Sequence, residues 1–188
     1  AKAIANVVTR KAISLLAEGV RDGAAARAAS DYLYTYRAGK VQATLNILSI
    51  DLVSRTLVIS RNNPAPVLLI QNGTVVALEK PSDPVGARRE VRPNITEVPL
   101  EAGLAAVVYT DGLVHAGERV GRPMDALERV RALLQAGPPD PARWAEDLLA
   151  AAVALDQDRP CDDISILVAA IQATQQDDVR RLTVRMPL

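Results

Sequence analysis

The chain has 188 residues, 49% of them apolar, and its 22 basic and 22 acidic side chains cancel to a formal net charge of zero. That length suits one domain with a sizeable core, and the absence of any basic stretch interleaved with stacking aromatics gives no support to an electrostatic nucleic-acid mode. No run of about 18 apolar residues and no charged-then-apolar leader is read in it, and the single cysteine, Cys161, excludes an internal disulfide or a Cys-rich zinc site, which suits the cytoplasm.

In chain order, apolar positions at Ile4, Val7, Val8, Ala12, Leu15 and Leu16 follow helical spacing, and an Ala-rich stretch predicts a second helix over Asp22 to Tyr36. The pattern then shortens to the β-branched runs VQATLNILSID, TLVISRN, PVLLIQ and TVVALE, which predict an antiparallel meander. Asn72-Gly73, between the last two, is a two-residue hairpin signal. Lys80 to Asn94 is rich in proline and charge and reads as a long connection or flap before a strand near Ile95 to Leu100. Glu101-Ala102-Gly103 turns the chain into a strand that ends at Asp111.

Beyond Asp111 the polar segment HAGERVGRP leads to an amphipathic helix through Met124, Leu127, Val130 and Leu134. Pro138-Pro139 breaks the chain, Asp140 caps, and Pro141 starts another helix with Trp144, Leu148, Ala151 and Leu155 inward. Cys161 to Ile171 predicts the last core strand. The tail, residues 172–188, reads as a linker ending in a candidate strand through Leu182, Val184 and Met186. With no Phe in the chain, the core must be built from Val, Leu, Ile and Ala. Segregated blocks of helix and strand favour an α+β domain over a doubly wound parallel sheet.

Two acidic motifs carry the chemistry. LAAVVYTDGL holds Asp111 and Gly112 where the chain leaves a buried strand, and CDDISILVAA holds Asp162 and Asp163 where it enters one. If those strands are antiparallel neighbours, the acids meet at one edge of a sheet. Carboxylates brought together raise each other's pKa unless a cation neutralises them, and all-oxygen acidic sets are the ligands of magnesium or manganese. Each motif has a plainer reading by itself: Asp and Gly favour tight turns, and an acid pair before a strand is commonly solvated. Together they point to a metal site.

The pair YTDGL and CDDISILV, separated by helices, resembles the metal-dependent type 2C (PPM-type) protein serine/threonine phosphatases, in their bacterial sporulation stage II E and stressosome branch. VQATLNILSIDL through TLVISRNNPAPVLLI is similar to that branch's strand, turn, strand and Asn/Pro-rich crossing. The resemblance spans Ala1 to Ile171, which sets the expected organisation: a phosphatase domain over 1–171 and a linker with an extra strand over 172–188. It implies an α-β-β-α four-layer sandwich, two antiparallel sheets flanked by helices, with manganese or magnesium at one end, two ions in a complete site. In such enzymes water activated by the metal attacks the phosphorus of phosphoserine or phosphothreonine. Carried over by motif, Asp111 is a metal ligand, Gly112 permits close backbone approach, Asp162 is the second ligand and Asp163 the adjacent position.

The family also has an earlier acidic element, of the form Asp-Gly-x-Gly-His-Gly, before the helix that matches Ala3 to Leu16. Nothing precedes Ala1 here, so either upstream residues belong to the natural protein or the chain is a permuted or inactive relative. The expected function is a cytoplasmic phosphatase acting on a phosphorylated STAS-domain protein of a stressosome or anti-anti-sigma system. A pseudophosphatase that docks such partners without hydrolysis is the alternative. Neither nucleic acid nor membrane is an expected partner, and the expected state is a monomer or weak dimer.

Further residues are weighed as substrate contacts. His115, the only histidine, follows Asp111 closely enough to orient phosphate or water, although a lone loop histidine is more often solvated. Arg61, Asn62 and Asn63 sit at a strand end that enters a Pro turn, where Asn is favoured for backbone reasons alone. Arg88, Arg89 and Arg92 in the flap suit a phosphate or a partner, or plain solvent. Thr44 is read as support from an inner strand, and Cys161 has no neighbouring base that would make it a nucleophile.

Overall fold

The computed structural model describes residues 2–173, and within them the strands divide between two sheets. Helices α1 (Lys2–Ala17) and α2 (Asp22–Arg37) open the chain and pack on each other through Val8, Ala12, Ala29 and Leu33. Strands β1 (Leu45–Asp51), β2 (Thr56–Asn62) and β5 (Asn94–Pro99) form an antiparallel sheet in the order β1-β2-β5. Strands β3 (Val67–Gln71), β4 (Thr74–Leu78), β6 (Ala105–Tyr109) and β7 (Ile166–Ala170) form the other, in the order β4-β3-β6-β7.

The β-branched runs are therefore not one meander. β1–β2 and β3–β4 are hairpins in different sheets, and residues 63–66 carry the chain across. Pro64 and Pro66 have no N–H to give a ladder, and the Asn63 side chain accepts the Ala65 N–H at 2.9 Å, so the segment closes on itself instead of pairing. The β3–β4 hairpin is as its sequence predicts: Asn72 and Gly73 hold φ of 52° and 71°, the left-handed pair that matches strand twist.

Side-chain alternation explains the layers. Leu57, Ile59 and Val98 from one sheet meet Val67, Leu69, Ala106 and Val108 from the other. The alternate residues of the second sheet, Leu68, Ile70, Ala105, Val107 and Tyr109, face Val130 of α4 (Ala126–Ala136) and Trp144 and Leu148 of α5 (Pro141–Leu155). β3 and β6 are covered on both faces, which is why they read as unbroken apolar runs. With α2 against β1 and β2 on the far side, the result is the α-β-β-α sandwich.

Local chemistry fixes the helix starts. α4 begins at Ala126, two residues beyond Met124, because Asp125 stands outside the helix and accepts the Glu128 N–H at 2.9 Å. Asp140 does the same for Arg143 at 3.2 Å, ahead of Pro141 in the first turn of α5. The connection of residues 80–93 departs from the expected flap. Val85 and Val91 are fully buried, Val85 bridges to Ala43, and the N–H groups of Gly86 and Glu90 donate to Ser30 Oγ and Asp31 Oδ1 of α2 at 3.0 and 2.9 Å. It is a strap tied to α2.

Among the described residues no helix is long and apolar enough to cross a membrane. The candidate strand at Leu182, Val184 and Met186 lies outside the described residues.

Candidate metal centre

β6 and β7 are antiparallel neighbours, in register from Ala105↔Ala170 to Tyr109↔Ile166. The two acidic motifs therefore emerge at the same end of the second sheet. Asp111 does not extend β6. It opens a short helix, α3 (Asp111–Val114), with Thr110 as the capping residue, and it is exposed while Gly112 and Leu113 are buried. β7 in turn begins at Ile166, five residues later than the expected Cys161. Its partner β6 has already turned into α3, and the Asp162 side chain accepts the Asp163 N–H at 2.8 Å, holding a turn rather than a strand.

Thr110 and Gly112 join the two motifs. The Thr110 N–H donates to the Ser165 carbonyl at 3.1 Å, the Ser165 N–H donates to Thr110 Oγ1 at 2.9 Å, and Thr110 Oγ1 donates to the Asp163 carbonyl at 3.1 Å. Gly112 packs so closely that a Cβ there would stand 2.5 Å from the same Asp163 oxygen and 3.1 Å from Ile164 Cγ1. Glycine is required here for close approach, as only a residue without Cβ lets two backbones meet. Sequence reasoning alone gives no cause to single out Thr110; the available signal is a hydroxyl residue at a strand-to-helix junction.

His115 closes α3, its N–H donating to the Asp111 carbonyl at 2.9 Å, and its Nδ1 lies 2.9 Å from Glu118 Oε1. Its pKa is raised above 6.5, first by the hydrogen bond to Glu118 and the Glu118 charge, against an opposing desolvation, with the charges of Asp111 and Asp162 adding less than either. His115 thus feels both motifs. Behind them, Thr44, Asn46, Asn63, Thr110 and Ser165 line a cleft of about 220 Å³ between the sheets. Asn63 donates from Nδ2 to the Tyr109 carbonyl at 3.4 Å.

The other sequence candidates have different partners. Arg61 is 2% exposed and donates to the carbonyls of Asn63, Ala65 and Lys80, and burial lowers its pKa. Asn62, also buried, donates to the Asp83 carbonyl at 3.0 Å. Both tie the end of β2 to the strap, Arg61 through the Lys80 carbonyl and Asn62 through the Asp83 carbonyl, while the buried Asn62 Oδ1 has no hydrogen-bond partner. Arg88 pairs with Asp83 at 2.7 Å, and Arg89 lies 5.5 Å over the Tyr34 ring, so both are drawn to the strap and α2 and not to the acids. Cys161 is exposed and free.

The donor set suits a hard divalent cation in kind. Asp111, Asp162 and Asp163 are exposed carboxylates, and among the described residues none of them forms a salt bridge that would neutralise it. In number the set is small: among the described residues there is no group of three or more His, Cys, Asp or Glu side chains arranged to hold a metal. Magnesium and manganese commonly keep several waters and bind through one or two carboxylates, so a two-motif acidic edge remains compatible with them.

A family model described as Stage II sporulation protein E (SpoIIE) matches residues 1–172. No curated protein matches the chain in sequence. Among solved structures, the RsbU and RsbW domains of Rv1364c from Mycobacterium tuberculosis superpose with a TM-score of 0.72 at 21% identity, over 93% of this chain and 48% of that one. The manganese-presoaked phosphatase domain of the cell fate determinant SpoIIE from Bacillus subtilis gives 0.62 at 17% identity, over 92% and 76%. The catalytic domain of the serine/threonine protein phosphatase PstP, in complex with 2 manganese ions, gives 0.66 at 17% identity, over 89% and 82%. At these identities the likeness is one of fold.

Proposed function

The chain belongs to the SpoIIE family of PP2C-type, metal-dependent protein serine/threonine phosphatases, and on that premise we propose that Asp111 and Asp162 hold manganese or magnesium and that the substrate is a phosphorylated STAS-domain regulator. The observation that carries the site assignment is the contact of Thr110 and Gly112 with Asp163, which joins the two acidic motifs at one sheet end. The substrate class is supported by the fold likeness to a chain that pairs an RsbU with an RsbW domain. A cytoplasmic location is supported by the lone, exposed Cys161.

When bound, the metal supplies activation of water and neutralisation of charge on the phosphoryl oxygens. The chain's own residues do the rest. Asp111 is presented on the first turn of α3. Asp162 is oriented by the bond its Oδ1 accepts from the Asp163 N–H. Asp163 contributes its carboxylate to the same negative edge, while its backbone anchors the turn. His115, protonated more readily than a free histidine, offers a positive donor beside the acids for a phosphate oxygen.

The test is release of phosphate from p-nitrophenyl phosphate and from a phosphoserine peptide by the purified protein with manganese, with Asp111→Ala and Asp162→Ala compared. Metal-dependent turnover that either substitution abolishes supports the assignment. Turnover indifferent to both removes it, and no turnover with a folded, metal-binding protein favours a docking role.

A further inference from the structure

Thr110 stands where β6 becomes α3, and its backbone carbonyl cannot serve both. Antiparallel pairing beyond Tyr109↔Ile166 would have Thr110 and Ser165 exchange both N–H···O bonds. One is made, from the Thr110 N–H to the Ser165 carbonyl at 3.1 Å. The Thr110 carbonyl is instead taken by the Leu113 N–H of α3, also at 3.1 Å. The Ser165 N–H then needs another acceptor, and Thr110 Oγ1 replaces the lost carbonyl at 2.9 Å. The hydroxyl's own proton goes to the Asp163 carbonyl at 3.1 Å. Thr110 leaves its helix uncapped by its side chain, the usual use of a threonine in that position.

We propose that the Thr110 hydroxyl is a positioning residue for the metal-binding acids: by splicing the sheet ladder to the Asp162–Asp163 turn, it sets where Asp162 stands relative to Asp111. The inference rests on the site assignment under Proposed function and adds to it a residue that touches no metal. Only a group that both accepts and donates within one bond of Cβ meets this demand, so serine suffices and valine, its isostere, does not. Outer groups that orient ligands typically set metal affinity by about 10- to 100-fold.

The experiment is manganese titration of the purified protein by calorimetry, with the thermal midpoint measured in the presence and absence of manganese, for the parent, Thr110→Val, Thr110→Ser and Ser30→Ala. Ser30 is the stability control, since its hydroxyl accepts the Gly86 N–H within the α2–strap contact. The expected result is manganese affinity at least about tenfold weaker in Thr110→Val, with a smaller metal-induced rise in midpoint. Thr110→Ser keeps parental affinity, and Ser30→Ala loses midpoint without losing affinity. A folded Thr110→Val that binds manganese as the parent does, whatever its midpoint, overturns the proposal. So does a Thr110→Ser variant as impaired as Thr110→Val, which would assign the loss to the methyl group. A parent that binds no manganese overturns the site assignment itself and this inference with it.

Discussion

A Cβ on Gly112 would stand 2.5 Å from the carbonyl oxygen of Asp163, closer than side-chain carbon and backbone oxygen ever settle. Gly112→Ala therefore pushes the Asp162–Asp163 turn off α3. Overpacking of this kind costs about 1–3 kcal/mol. Differential scanning calorimetry should show a lowered midpoint, and phosphatase assays should show a manganese requirement shifted to higher concentration. An alanine variant with parental midpoint and metal requirement would remove the contact from the argument.

Asp162 and Asp163 differ in what they supply. Asp163 gives its carbonyl and N–H to the turn, whereas the Asp162 side chain is the exposed acceptor of that N–H. Asp162→Asn keeps the acceptor and the turn but removes charge. It is expected to lower manganese-dependent turnover by more than about tenfold, since even outer-shell partners reach that. Asp163→Asn is expected to fall between Asp162→Asn and the parent. Equal effects of the two substitutions would count against the ranking.

Arg61 is a buried cation whose partners are carbonyls. Arg61→Met takes a donor from the Asn63 oxygen and leaves the Lys80 oxygen with Asn94 alone, at a cost of about 1–3 kcal/mol. Arg61→Lys does not restore stability, because a single ammonium lacks the fork that reaches both carbonyls. Denaturant melts and trypsin cleavage within residues 80–93 measure the effect. Parental resistance in Arg61→Met would show that the strap is held by Asn62, Ser82 and Asn94 without it.

His115 is the chain's sole histidine, so its imidazole signal is unambiguous in proton NMR. Its folded pKa is raised above 6.5, with the Glu118 hydrogen bond as the largest cause. The contribution to stability is accordingly full below about 6.5 and fades as pH rises through the folded value. Glu118→Gln is expected to lower the titration midpoint toward 6.5 and flatten that part of the stability profile. A midpoint unmoved by the substitution would dissociate the two residues in solution.

Features with local causes were legible in the sequence. Asn72-Gly73 needs only its own backbone to make a hairpin, and Asp140 with Pro141 needs only the next turn to start a helix. The acids at Asp111 and Asp162 were legible as motifs. The division of strands between sheets was not, because residues 63–66 pair with neither and the choice is made by distant partners, β5 for β2 and β6 for β3. The start of β7 was hidden for a related reason: it depends on Thr110, far away in sequence. The burial of Arg61 was not legible, because its carbonyl partner at Lys80 belongs to a segment with no helical or strand period of its own.

The bond between Thr110 and Asp163 spans 53 residues, and α4 and α5 lie inside that span. On a ribosome, β6 is complete long before β7 exists. Until Ile166 has been made, the nascent chain carries β6 as a strand apolar on both faces with one unpaired edge, the kind of edge that recruits other chains. Synthesis of the short segment from Asp162 and Asp163 through β7 is thus also the step that closes this edge. A truncation just before Cys161 would release a chain that lacks Asp162 and Asp163 and leaves one edge of β6 unpaired.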